Sequence, residues 1–301
     1  DVILGSVSYS GNMASFTPNN PLLANAIFTA TITTGTKNVA GIAIANNYVW
    51  TFKTINSSNA PNLGSASPFG AFGGNAGITN QGINTVINGS IATTAASTLV
   101  TGFHDATAIY TETPLNVGNV TGAIATAPPM PGTATSFAIA QQALLDANAA
   151  YLSISPASMP GGIDPGAGEL GGLTLAPGIY KSNSGTFNIS NGNLTLDAQG
   201  DPNAVWIFQT AAGLTVGIAG PTGAKSVVLI NGALPKNVFW YVGSTAIING
   251  AGGGTMVGTI IANSGVTFST AGNAVQTVLN GRALSLVSSV TMVNTTINVP
   301  Q

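Results

Sequence analysis

The chain has 301 residues, of which only 5% are charged, with a formal net charge of -2 and no cysteine. This argues against nucleic acid, which needs a basic stripe, against a polybasic membrane contact, and against disulfide or thiolate chemistry. Hydrophobic residues make up 45%, too many for a disordered chain, yet no run approaches the roughly 18 apolar residues of a membrane helix. The surface is therefore left to Thr, Ser, Asn, Gly and Ala.

In chain order, residues 1–53 differ from the rest. VSYSGNMASF alternates with period two around a Ser-Gly-Asn turn and predicts a hairpin; IFTATITT and YVWTFKT predict two further strands. Over these residues the chain resembles the C-terminal part of a bacterial Ig-like domain without that family's first strands. A sandwich so reduced is expected to expose edges and core. The opening DVILGSVSY has neither the basic nor the apolar segment of a secretion signal. The expectation is a removed signal or, given the missing strands, a natural chain that extends further N-terminally. TINSSNAPN (54–62) predicts a polar linker.

From residue 63 one phrase recurs: INTVINGSIA at 83–92, VGNVTGAIA at 117–125, GGTMVGTIIA at 253–262 and VQTVLNGRAL at 275–284. Each reads as strand, glycine corner, strand, with Gly89, Gly122, Gly258 and Gly281 at the corners, where glycine bends without Cβ strain. Three short strands per turn, recurring every roughly 20–30 residues, is the pattern of a β-helix. One set of strands (GIYKSNS, VWIFQT, NVFWYV, TIIAN, RALSLV) is apolar on both parities and should be covered on both sides. A second (TFNIS, LTVGI, TAIIN, VTFST, VTMVN) is apolar on one parity and should face water. A third contains LTLDA, SVVLI, TMVG and VQTVLNG. The cover for the first set is a predicted helix over 133–154, with Phe137, Ala140, Leu144, Ala147 and Tyr151 on one stripe and Pro156 past its end.

Catalytic chemistry is not apparent. His104 is the only histidine, and without cysteine an ordinary zinc site is not expected. No Gly-x-Ser-x-Gly elbow accompanies it. The acids are scattered rather than paired on one face as glycoside cleavage requires. Asp197 and Asp201, in DAQGDPNA, read as turn-forming carboxylates before they read as a cation site.

LGGLTLAPGIYKSNSG, NLTLDAQGDPNAVWIFQT, SVVLINGALPKNVFWYVGS, VLNGRALSL and VTMVNTTI, in that order, with LGSASPFGAFGGNAGITNQG at 63–82 and the Ala-rich helix, resemble the DUF3494 ice-binding protein family. The resemblance covers most of 63–299 and departs from shorter members at 95–118. It implies a mainly β fold: an irregular right-handed β-helix with one long helix alongside, following a partial Ig-like unit at 1–53. It also implies no cofactor, no enzyme activity, ice as the partner, an extracellular or cell-surface location, and a monomer or part of a longer multidomain chain.

Stacked coils lie about 4.8 Å apart, so outward residues at one position form a ladder of fixed spacing. Short Thr, Ser, Ala and Gly side chains lose little rotamer freedom against a rigid lattice. The second strand set is accordingly expected to carry the ice face, with Thr186, Asn188, Ser190, Thr215, Gly217, Thr245, Ile247, Asn249, Thr267, Ser269, Ser289 and Thr291 outward, and Thr79 and Thr107 from the N-terminal coils. The competing face is the third set, with Thr195, Ser226, Val228 and Gln276 outward. The alternative function is an extracellular adhesion module for polysaccharide or a cell surface. It lacks clustered aromatics, since Trp50, Trp206 and Trp240 sit in strands that read as core.

Overall fold

The computed structural model describes residues 2–11, 13–19, 22, 26–53, 60–218, 220, 222–268 and 275–301. It divides into two units, Asp1–Ser58 and Asn59–Gln301. In the first, Gly5–Ser10 pairs antiparallel with Met13–Pro18, and Ile27–Ile32 with Tyr48–Lys53. The expected hairpin and strands are present. None of the described residues of this unit is buried. A two-stranded ribbon has no second layer in which to bury a face. Trp50 is therefore 40% exposed, contrary to its reading as core, and Phe28 stacks on its cross-strand neighbour Phe52. Most of the linker expected at 54–62 lies outside the described residues.

The second unit is built on parallel ladders: a sheet of 13 strands, one of 7 and one of 3. These ladders fit a β-helix. The strands expected to face water all fall in the seven-stranded sheet. Its order is Phe187–Ile189, Leu214–Val216, Thr245–Ile248, Gly265–Phe268, Val290–Met292, Ile78–Asn80 and Val100–Thr101. That order carries a feature the sequence did not suggest. The N-terminal strands stack on the C-terminal ones: Phe69–Gly73 pairs with Thr277–Ser285, Ile78–Asn80 with Val290–Met292, and Thr85–Asn88 with Thr295–Asn298. A seam between chain regions more than half the sequence apart runs through the stack.

Two cores follow from strand parity. Inside the stack, Tyr180, Phe208, Trp240, Ile260, Ala283, Ala71, Ile91 and Ile124 form one column in register. The ring centroids of Phe208 and Trp240 lie 4.0 Å apart. On the opposite side of the same strands, Tyr241, Ile261, Leu284, Phe72, Ala92 and Ala125 pack under the helix Ala134–Ser153. That strand set is thus covered on both sides, as its sequence required. The helix contributes Ala140, Ala143, Ala147, Ala150 and Tyr151, with Tyr151 stacked on Tyr241 at 4.1 Å. Phe137 and Leu144, expected on this stripe, are only half-buried, because the small alanines make the closer approach. Thr133 caps the helix in a reciprocal pair with Ser136. The helix leaves from beside Ile124–Ala127 at one end of the stack and delivers the chain to Gly178–Lys181 at the other. Its length, about 30 Å at 1.5 Å per residue, suits the column it spans, seven ladder steps of about 4.8 Å.

The repeated glycine phrase has a steric cause. Gly258 and Gly281 are neighbours in register within the long strands Thr255–Ala262 and Thr277–Ser285. At Gly281 the latter strand changes partners, from Thr295–Asn298 to Phe69–Gly73. The bend therefore occurs inside a continuous strand and joins part of the expected third set to the helix-covered set. The remainder of the third set forms the three-stranded sheet Thr174–Leu175, Leu194–Asp197 and Val227–Ile230. A Cβ on Gly281 would stand 1.9 Å from the Gly258 carbonyl oxygen. Gly281→Ala should cost at least about 1–3 kcal/mol, the usual range for overpacking, read as a lowered denaturation midpoint by circular dichroism.

Candidate functional site

The seven-stranded sheet presents one side to solvent and seals the other. Phe187, Leu214, Ala246, Val266, Val290, Ile78 and Val100 point inward, each with 0% exposure. Period-two alternation then fixes the residues between them outward. Asn188, Thr215, Ile247, Thr267, Thr291, Thr79 and Thr101 stand opposite one another in unbroken register. At about 4.8 Å per step this row is roughly 29 Å long. A flanking row holds Thr186, Thr245 and Ser289, with glycine at 213, 265 and 77. Between Asn188 and Thr101 neither row holds an Asp, Glu, Lys, Arg or His; Glu169 bridges Asn188 at the end of the central row.

Nine of the residues expected on this face occupy the two rows: Thr79, Thr186, Asn188, Thr215, Thr245, Ile247, Thr267, Ser289 and Thr291. Ser269 lies outside the described residues. Four others stand elsewhere or are engaged. Asn249 is turned away with 1% exposure; its Nδ2 donates to the Lys225 and Gly253 carbonyls at 2.9 Å, and its Oδ1 accepts from the Lys225 N–H at 3.0 Å. Gly217 is buried beneath it. The Ser190 hydroxyl donates to Glu169. Thr107 lies beyond the end of the sheet, where its hydroxyl donates to Asp105 at 2.7 Å. The residue missed is Thr101. Its strand, Val100–Thr101, has two residues, too few for a period to register.

The competing face is narrower. Thr195 is in register with Thr174 and Val228 across three strands. The Ser226 hydroxyl accepts from the Thr255 N–H at 3.0 Å, and Gln276 Nε2 donates to the Asn84 carbonyl at 2.6 Å.

The titratable groups hold loops. His104 Nδ1 lies 2.7 Å from Glu112, whose same oxygen accepts from the Gly118 N–H at 3.2 Å. Asp197 and Asp201 accept from backbone two residues on, at 2.8 Å each, as turn carboxylates do. Burial pushes the Asp105 and Glu169 carboxyls up, but hydrogen bonds from Thr107, Ile124 and Ala108, and from Ser190, Gly171 and Asn191, outweigh it and hold both below the usual carboxylate range. The Ser65 hydroxyl and N–H, with Gln142, do the same for Asp146.

A family model described as Ice-binding-like matches residues 72–298, and one for a bacterial Ig-like domain matches residues 1–54. The chain belongs to the ice-binding protein family. It is 36% identical over 231 residues to an ice-binding protein of Nostoc sp. (strain HG1), covering 76% of this chain and 71% of that one. It is 32% identical over 250 residues to an ice-binding protein of Colwellia sp., covering 80% and 88%. The solved structure of an ice-binding protein from an Arctic yeast superposes with a TM-score of 0.63 at 29% identity, over 82% of this chain and 96% of that one.

Carboxyls with lowered folded pKa values contribute stability that is present above their unfolded values and lost as pH falls through the folded ones. For this ice-binding chain the melting temperature should be flat from about pH 6 to pH 9 and fall progressively below about pH 4, with Asp105 and Glu169 contributing. Thermal unfolding across a pH series checks the sign.

Proposed function

We propose that this chain binds ice through the outward face of the seven-stranded sheet, limiting ice growth and recrystallisation. The observation that carries the reading is the register-aligned, charge-free row from Asn188 to Thr101. A rigid lattice rewards a pre-organised array, because ordering costs are met in folding and not again on binding. Fixing a Lys or Glu side chain loses up to about 2 kcal/mol of rotamer entropy; the short side chains here lose far less. Threonine offers a methyl and a hydroxyl together, able to order water and meet the lattice. The names of the relatives support the same partner.

In this reading the parallel ladders form a right-handed β-helix spanning 63–301, joined through a linker at 54–62 to an Ig-like unit at 1–53. It acts without a cofactor or catalysis, as a monomer outside the cell, alone or within a longer chain. Adhesion remains the second reading because the Ig-like unit exposes Tyr9, Phe16, Tyr48 and Trp50. Against it, the tryptophans of the larger unit, Trp206 and Trp240, have 0% exposure and offer no sugar platform.

Thr267→Tyr, near the centre of the row, should sharply reduce thermal hysteresis and ice adsorption while changing stability by no more than about 0.5 kcal/mol. Gln276→Tyr, on the competing face, should leave both unchanged. Full activity in the Thr267 variant together with loss in the Gln276 variant would move the contact to the other face.

A further inference from the structure

The outward row is a composite of two distant parts of the chain. Thr267 and Thr291 come from the C-terminal strands, Thr79 and Thr101 from the N-terminal ones, and the four stand in consecutive register across the seam. Beyond Thr267 the hydroxyls are interrupted by Ile247, which is 44% exposed. The longest unbroken threonine run therefore exists only while the two halves keep their register.

One buried cation sits at that seam. Arg282 is the single arginine of the chain and is 6% exposed. Its Nε donates to the Ser67 carbonyl at 2.7 Å, and its Nη2 to the Pro300 carbonyl at 3.2 Å. Its Nη1 reaches the Thr259 hydroxyl at 3.4 Å. Ser67 leads into Phe69–Gly73, the first N-terminal strand at the seam; Pro300 follows Thr295–Asn298, the last C-terminal one; Thr259 lies on the next strand of the stack. Among the described residues no carboxylate pairs with it. A cation out of water must have its donors met, and the guanidinium's separate nitrogens reach three acceptors that a single compact ammonium would have to meet from one point. An asparagine ladder also crosses the seam, Asn88 to Asn298 to Asn280 at 2.7 and 2.9 Å, but its outer member is exposed and water can replace its bonds.

We propose that Arg282 is a positioning residue for ice binding: by gripping both sides of the seam, its guanidinium sets the register that makes Thr267, Thr291, Thr79 and Thr101 one surface. This rests on the ice-face reading above. Two half-faces in fixed register bind as a bivalent ligand, whose advantage is lost when geometry forbids simultaneous engagement.

The test uses the full chain, with adsorption of labelled protein to ice and thermal hysteresis read near the freezing point, where a variant with a merely lowered melting temperature is still folded. Arg282→Lys keeps the charge and loses the fork. With native circular dichroism at that temperature, its ice adsorption should fall at least about tenfold, a partial loss of an advantage that is about 100-fold or more when engagement is fully bivalent. Unchanged adsorption in the folded variant overturns the proposal. Should Arg282→Lys not fold, Thr259→Val carries the test. It should lower adsorption in the same direction by less, with faster amide exchange in Ile78–Asn80 than in Gly265–Phe268; unchanged adsorption there overturns the proposal. Thr79→Tyr separates the two readings. If it leaves adsorption intact, the face itself is wrong and the positioning role falls with it. If it abolishes adsorption while folded Arg282→Lys retains it, only the role of Arg282 falls.

Discussion

The structure depends on parallel strands stacking in strict register with a filled interior. A one-residue slip in any strand of the seven-stranded sheet would turn an inner residue such as Phe187, Leu214 or Val266 into water and bring an outward Thr or Asn inside. The hydrophobic penalty for that slip is borne entirely by the core, so the outward row is held straight without contributing to its own alignment. Its residues are free to be whatever a partner requires, and the spacing between them comes from the ladder.

The same stacking creates a difficulty that the chain solves with its helix and its seam. The N-terminal strands lie at one end of the stack, and the helix Ala134–Ser153 carries the chain back to the other. The remaining strands then wind toward the start and close on it. The sheet crossed by the helix must consequently be apolar on both sides, and the strands between Phe69 and Asn88 complete their ladders only after residues 277–298 have arrived. Such non-local pairings are slow to form and expose edges meanwhile. A buried fork of hydrogen bonds and an asparagine ladder, both at the junction, are what such a closure needs.

The strand sets, the covered helix face, the turn carboxylates and the central part of the candidate row were legible because each has a local period or a local hydrogen-bonding habit. Thr267 and Thr291 could be read from alternation alone. Thr101 could not, since a two-residue strand has no alternation to show. Asn249 looked like the next outward residue of its strand; only the loop it fastens, around Lys225 and Gly253, turns it inward. The seam was invisible for a deeper reason. Repeats of one phrase say that coils stack, but the order of stacking depends on where a connecting helix delivers the chain, and no periodicity records that.

The scarcity of charge then acquires a structural logic. Asp105, Asp146 and Glu169 each accept a backbone N–H and a hydroxyl. The one arginine is spent inside the seam. Charge is thus used where a backbone group would otherwise lack a partner, and withheld from the outward row between Asn188 and Thr101. If that row meets ice as proposed, a charged group on it would keep its own tightly held water and a mobile stem, both of which resist a surface that is itself ordered water. Hydroxyls and methyls on stiff β-branched stems make neither demand. The physical condition for mating with such a surface is a wall that asks for no rearrangement on either side.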